Sequence, residues 1–174
     1  MANILRLGKV ASVDTAAATC RVAIGEIITA PLPWFSLRAG SSATWSAPDI
    51  GEQVMVLSPG GNLAAGAVLQ GLYCDTSPPP AEVRSVHRTR FADGAVLDYD
   101  HEAHALRALL PAGATVSITA DGGIKFTGNV NIDGDVSITG KVNAAGDVVG
   151  AGISLSRHPH GMITPGSGTS GPPQ

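Results

Sequence analysis

From residue 122 the chain is written in sixes. Glycines stand at 122, 128, 134, 140, 146 and 152, opening the blocks GGIKFT, GNVNID, GDVSIT, GKVNAA, GDVVGA and GISLSR. The third place holds Ile124, Val130, Val136, Val142 and Val148, and the fifth holds Phe126, Ile132, Ile138, Ala144 and Gly150. The even places are mostly polar. Each block therefore predicts a short strand with its apolar residues on one side and a corner at the glycine. Side chains in the fifth place shrink along the series, as expected of a rod that narrows toward its C-terminal end.

The same alternation, without the repeat, runs through residues 1–76. GKVASVD and TCRVAI are strand-like, with Val10, Cys20, Val22 and Ile24 as apolar positions. IGEQVMVLSPGGNLAAGAVLQGLY reads as a hairpin in which Val54 and Val56 alternate and Pro59-Gly60-Gly61-Asn62 turns the chain. About five strands in this length fit a small closed barrel such as an OB-fold, filled or capped by Trp34, Phe35 and Trp45. Pro78, Pro79 and Pro80 then form a stiff spacer. Beyond it, RTRFADGAVLDYD carries a hairpin signal at Asp93-Gly94, HALRALL reads as strand because Pro111 and Gly113 cut its helical period short, and ATVSITADG reads as strand then turn.

The rod cannot stand alone. A hexapeptide left-handed helix has the same period but puts an aliphatic residue before the glycine, where this chain has Asp121, Thr127, Asp133, Thr139, Ala145 and Ala151. A single narrow sheet would leave apolar surface and strand edges open. Three chains wound about an axis would pair each edge and bury each apolar face, so a homotrimer is expected.

That symmetry changes the meaning of SRHPHGM. His158 and His160 lie i, i+2 around Pro159, so in an extended strand both rings face the same way. In one chain they are a poor site. Facing a threefold axis, they become six imidazoles in two layers. Structural zinc prefers four ligands; six nitrogens suit an octahedral first-row ion, iron or by affinity cobalt or nickel. Such an ion would cross-link three chains where Ala144 and Gly150 bury little. The other histidines have plainer readings: His87 lies among Arg84, Arg88 and Arg90 on a solvated strand, and His101 and His104 in HEAH have i, i+3 spacing unlike a zinc-protease helix.

Composition narrows the function. Charged residues are 14% of 174 and the net charge is -3, against nucleic-acid binding by bulk electrostatics. The N-terminus shows no secretion signal and no stretch approaches a membrane helix, so synthesis in the cytosol is expected, with exit only as part of something larger. Cys20 and Cys74 are expected to be free thiols. Asp133, Asp135 and Asp147 sit at corners, where turn chemistry accounts for them, and no acidic loop matches a calcium pattern.

In this order, GKVASVD, CRVAI, LPWFSLRAG, IGEQVMVLSPGGNL and GLY, then the glycine-spaced sixes, then HPHG, the chain resembles the baseplate assembly protein V, or central spike, family of contractile-tailed phages and R-type pyocins. The resemblance implies an all-β homotrimer: an OB-fold at 1–76, a Pro-rich linker and β-strand neck at 77–120, a triple-stranded β-helix at 121–152 and a metal-bound apex at 153–174. It implies one iron ion per trimer, held by His158 and His160 of three chains. It also implies a virion or tail-like particle location, docking to tail hub and baseplate proteins, and piercing of a bacterial outer membrane without enzymatic chemistry. The tail after His160, rich in Gly, Ser and Pro, is expected to fold back at the tip. Rival readings are a hexapeptide acyltransferase, a tail lysozyme and an OB-fold nucleic-acid binder with a trimerising tail. The first has the wrong register, the second lacks a segment for paired carboxylates, and the third lacks Lys/Arg clustered beside aromatics.

Overall fold

Ten residues of alternating exposure, Leu5–Asp14, form β1, which pairs antiparallel with β2 (Thr19–Ile24) on one side and β5 (Gln53–Leu57) on the other. This computed structural model of a single chain describes residues 4–158 and 166. They fall in two compact units, Met1–Val116 and Ser117–Gln174.

In the first unit, β2 continues through Gly25, at φ +58°, into β3 (Ile27–Ile28), and pairs also with β4 (Leu32–Pro33). β5 turns into β6 (Ala67–Leu69). The turn is the one expected at Pro59-Gly60-Gly61-Asn62, extended by a second 3-10 turn that the Asn62 side chain starts by accepting from Ala64 N at 3.0 Å. One residue beyond β4, Trp34 bridges Val68 of β6, and Phe35 N donates to Val68 O at 2.8 Å. The sheet thereby closes on itself as a small barrel. A register shift between Val10 and Ser12 lets β1 bend around it. Gly8 is required by close approach: a Cβ there would lie 2.6 Å from the Ala23 carbonyl oxygen.

Inside lie Val10, Cys20, Val22, Leu32, Val54, Val56 and Val68, with Val13, Ile24, Trp34 and Leu63 packed against them. Most of these are the alternating positions of the sequence. β3 and β4 were not expected, because two residues carry no period. Thr29 joins them: buried, it accepts from Val22 N through Oγ1 at 3.0 Å and donates its own N–H to Val22 O at 3.0 Å. The expectation for the aromatics needs correction. Trp34 packs on the core, but Phe35 and Trp45 do not fill it. Trp45 meets Trp34 edge-on at 5.5 Å from the outside, and Phe35 is half exposed. The core is made of valines with Cys20 and Leu32, and the large rings stay at the rim. Cys20 and Cys74 are free, and burial raises the Cys20 thiol pKa above its usual value. Truncating Leu32 to Ala is expected to cost about 2–5 kcal/mol, read as a lower barrel melting temperature.

β7 (Val86–Arg90), β8 (Val96–Asp100) and β9 (Ala105–Leu109) form a separate three-stranded antiparallel sheet. Asp93-Gly94 makes the first turn as expected, with Gly94 at φ +89°. HALRALL is strand, as read. Arg88, Asp98 and Arg107 are direct cross-strand neighbours. Asp98 accepts from Arg88 at 2.6 and 3.0 Å and from Arg107 at 2.9 and 3.1 Å. Its carboxylate is enclosed by the two guanidinium groups, which themselves still reach solvent. Hydrogen bonds from Arg107 and Arg88 lower its pKa below the ordinary 3.8. Because the folded value is depressed, this contribution is present above the unfolded value and is lost as pH falls through the folded one. The sheet is therefore expected to lose stability below about pH 4, and Asp98→Asn to lower stability at neutral pH while flattening that acid limb, followed by circular dichroism.

Candidate functional site

Strands need partners for their N–H and C=O groups, and within one chain the glycine-spaced segment finds none before Val149. Residues 110–148 carry no strand ladder, which corrects the expectation of a strand at ATVSITADG within a single chain. The glycines do mark corners in part: Gly128 and Gly134 have φ of +122° and +140°, a region that side chains avoid, with open space around them. The apolar column is bare. Phe126 is 73% exposed, and Ile124, Val130, Ile132, Val136, Ile138 and Val142 are exposed with it.

Order returns at the end of this segment. β10 (Val149–Gly150) and β11 (Ile153–Ser154) pair through a two-residue turn, Ala151-Gly152, with both φ positive. Asp147 Oδ1 accepts from Ser156 N at 3.1 Å across this hairpin, and hydrogen bonds from Ser154 and Ser156 lower the Asp147 pKa. Ser154 then positions Arg157 and His158. Its hydroxyl accepts from Arg157 N at 2.9 Å, and its carbonyl accepts from His158 N at 3.1 Å and from His158 Nδ1 at 2.9 Å.

A carbonyl only accepts, so His158 Nδ1 donates in this contact. A metal-ligating histidine commonly holds a backbone carbonyl in this way through its other ring nitrogen. His160 and, apart from Gly166, the tail beyond it lie outside the described residues. Among the described residues of one chain, no group of three or more His, Cys, Asp or Glu is arranged to hold a metal. Ser154 and Asp147 carry this geometry. The role of Ser154 acts through its backbone carbonyl, which no residue pattern signals. Asp147 was read only as a corner residue, and its corner is what lets it reach Ser156.

His101 and His104 lie in the β8–β9 turn, where Asp100 accepts from Glu102 N and Ala103 N. His101 N donates to Ser85 O at 3.1 Å. No helix forms there, so the zinc-protease likeness ends. His87 is exposed on β7.

The barrel offers a second surface. Leu7, Met55 and Leu69 are register neighbours across β1, β5 and β6, as are Leu5, Leu57 and Ala67. All point away from the core, so the outer face here is apolar, and Leu5, Leu7 and Leu69 are about half exposed. Outward faces of antiparallel sheets are ordinarily polar.

Residues 6–73 match the Type VI secretion system/phage-baseplate injector OB domain family, a span that begins in β1 and ends past β6. This barrel belongs to the phage baseplate V/spike family. The chain is also 40% identical over 125 residues to the spike protein of Escherichia phage P2. That match takes in 72% of this chain and 58% of the P2 protein, so the chain spans a little over half the length of this relative. A baseplate V/spike barrel accounts for the closed sheet of β1 to β6. No described helix is long and apolar enough to cross a membrane.

Proposed function

We propose that this chain is the central spike of a contractile phage tail or tail-like bacteriocin, working as a homotrimer that pierces a bacterial outer membrane on sheath contraction. The observation that carries the reading is the bare apolar column from Ile124 to Val148, in a chain whose barrel is of the baseplate V/spike family. Exposed apolar runs of this length on a lone chain are unfavourable at about 25 cal/mol per Å². A threefold association buries three such columns together and supplies each extended segment with ladder partners on both sides. The P2 relative is named a spike protein, which supports the same reading.

The tip is the weak point of such a rod, because Ala144 and Gly150 bury little. His158 and His160 of three chains would hold one iron ion there, its binding energy adding to that of assembly. The hydrogen bond between His158 Nδ1 and the Ser154 carbonyl supports this role. The barrel would dock to hub and baseplate proteins, its apolar outer face around Leu7, Met55 and Leu69 supplying adhesive surface. Work at the target is mechanical, and the chain needs no catalytic residue for it.

Native mass spectrometry with metal analysis tests both parts. The expected result is a trimer retaining about one iron per three chains. A monomer at all concentrations overturns the spike reading; a metal-free trimer, grown with iron available, overturns the tip site alone.

A further inference from the structure

We propose that the first half of β1 is an open edge that takes up an extended segment of another protein, one carrying Asp or Glu between two apolar residues. The inference rests on the barrel docking in the reading above and names how that contact is made. Register defines the edge. β1 pairs with β5 from Leu5 to Lys9, but its ladder with β2 begins only at Lys9. Alongside Leu5 and Leu7, β2 has already turned away through Gly25 into β3.

Alternation decides which backbone groups this edge offers. Ser58 N donates to Ile4 O at 2.7 Å, and Val10 N donates to Glu52 O at 2.9 Å. In an antiparallel ladder bonded residues alternate with unbonded ones. Arg6 and Gly8 share the phase of Ile4 and Val10, so their N–H and C=O groups face β5. Leu5 and Leu7 direct theirs the other way, where no described strand meets them. A groove lined by Leu7, Gly8, Lys9, Ala23, Gly25 and Gln53 lies at this fork. An unpaired edge of this kind can accept one more strand.

Side chains select which strand. Leu5 and Leu7 point outward beside Leu57 and Met55. Arg6 points inward between them. Its Nε is buried, and its guanidinium has no hydrogen-bond or ion-pair partner among the described residues. Ser58, inward on the adjoining strand and 1% exposed, also keeps an unpartnered hydroxyl. A strand laid on the edge puts the residue opposite Arg6 on the same face as Arg6, and its two neighbours beside Leu5 and Leu7. A carboxylate in the middle place satisfies the buried N–H with a charge-assisted bond. Apolar neighbours extend the outer apolar face. The same edge of a second copy fits badly, because antiparallel pairing would set Arg6 against Arg6.

The test titrates the full chain with two blocked peptides, Thr-Val-Glu-Val-Thr and its Gln counterpart, by calorimetry and amide hydrogen exchange. The Glu peptide is expected to bind at least about tenfold more tightly than the Gln peptide. It should slow exchange at the Leu5 and Leu7 amides and leave Arg6 and Gly8, already bonded to β5, unchanged. Arg6→Gln is expected to make the two peptides bind equally. Leu7→Pro removes an edge N–H without touching the β5 ladder and should weaken binding at least about tenfold. Should Leu7→Pro fail to fold, the two peptides on native chain and Arg6→Gln decide. Equal binding of both peptides by the native chain, or binding of neither at millimolar concentration, overturns the inference. Leu5 and Leu7 amides protected before any peptide is added give the edge to the chain's own copies and overturn it too. A trimer that binds neither peptide leaves the spike reading standing. A chain monomeric at all concentrations that binds the Glu peptide overturns the spike reading and keeps the edge.

Discussion

Ile138→Asp is expected to turn the trimer into monomers. Ile138 occupies the fifth place of its six, where side chains of three copies would converge on one axis. Removing the isoleucine forfeits about 1.5–3 kcal/mol of burial per chain. The aspartate then faces two identical carboxylates in a low-dielectric column, and breaking a buried apolar contact with an unpaired charge adds several kcal/mol more. Ser137→Asp, one place away on the polar side, should change stability by no more than about 0.5 kcal/mol. Analytical ultracentrifugation of the two variants separates the cases. Equal behaviour at 137 and 138 would mean that the period of six does not define an inward face.

The second large effect is chemical. Changing His158 and His160 together to Ala is expected to reduce bound metal from about one ion per three chains to none. The barrel should melt at an unchanged temperature, because its core from Val10 to Val68 shares no residue with the tip. Metal retained at the original ratio would place the ligands elsewhere. Metal lost together with the barrel would instead indicate general unfolding.

What the sequence could tell depended on where the partner of each residue lay. Val10, Val22, Val54 and Val56 alternate and are buried, because their partners are in the same chain a few strands away. The Asp93-Gly94 turn and the strand at Ala105–Leu109 were legible for similarly local reasons: a turn needs a positive φ, and Pro111 and Gly113 stop a helix. β3 and β4 escaped because two-residue strands are defined by hydrogen bonds and carry no pattern. The aromatics misled because size suggests burial, yet the barrel has room for valines and one edge of Trp34. The rod is the opposite case. Its pattern is the most regular in the chain, but the single chain forms no ladder over residues 110–148, and the partners proposed for it lie in other copies. Near the C-terminal end, the sequence suggests His158 and His160 as ligands, while the group that holds His158 is the Ser154 carbonyl, invisible in a string of side chains.

Arg88 has a mechanical consequence beyond its ion pair. Besides Asp98, its guanidinium donates to the Pro80 carbonyl at 3.3 Å. That bond spans eight residues and ties the end of the triproline run to the middle strand's partner. The segment between them is thus a closed loop, fastened at both ends. A pull along the backbone at Pro80 reaches β7 through one side chain before the intervening residues straighten. The same guanidinium is anchored to β8 through Asp98, so the load is shared by two strands from the outset. This arginine acts as a brace that removes play from the joint.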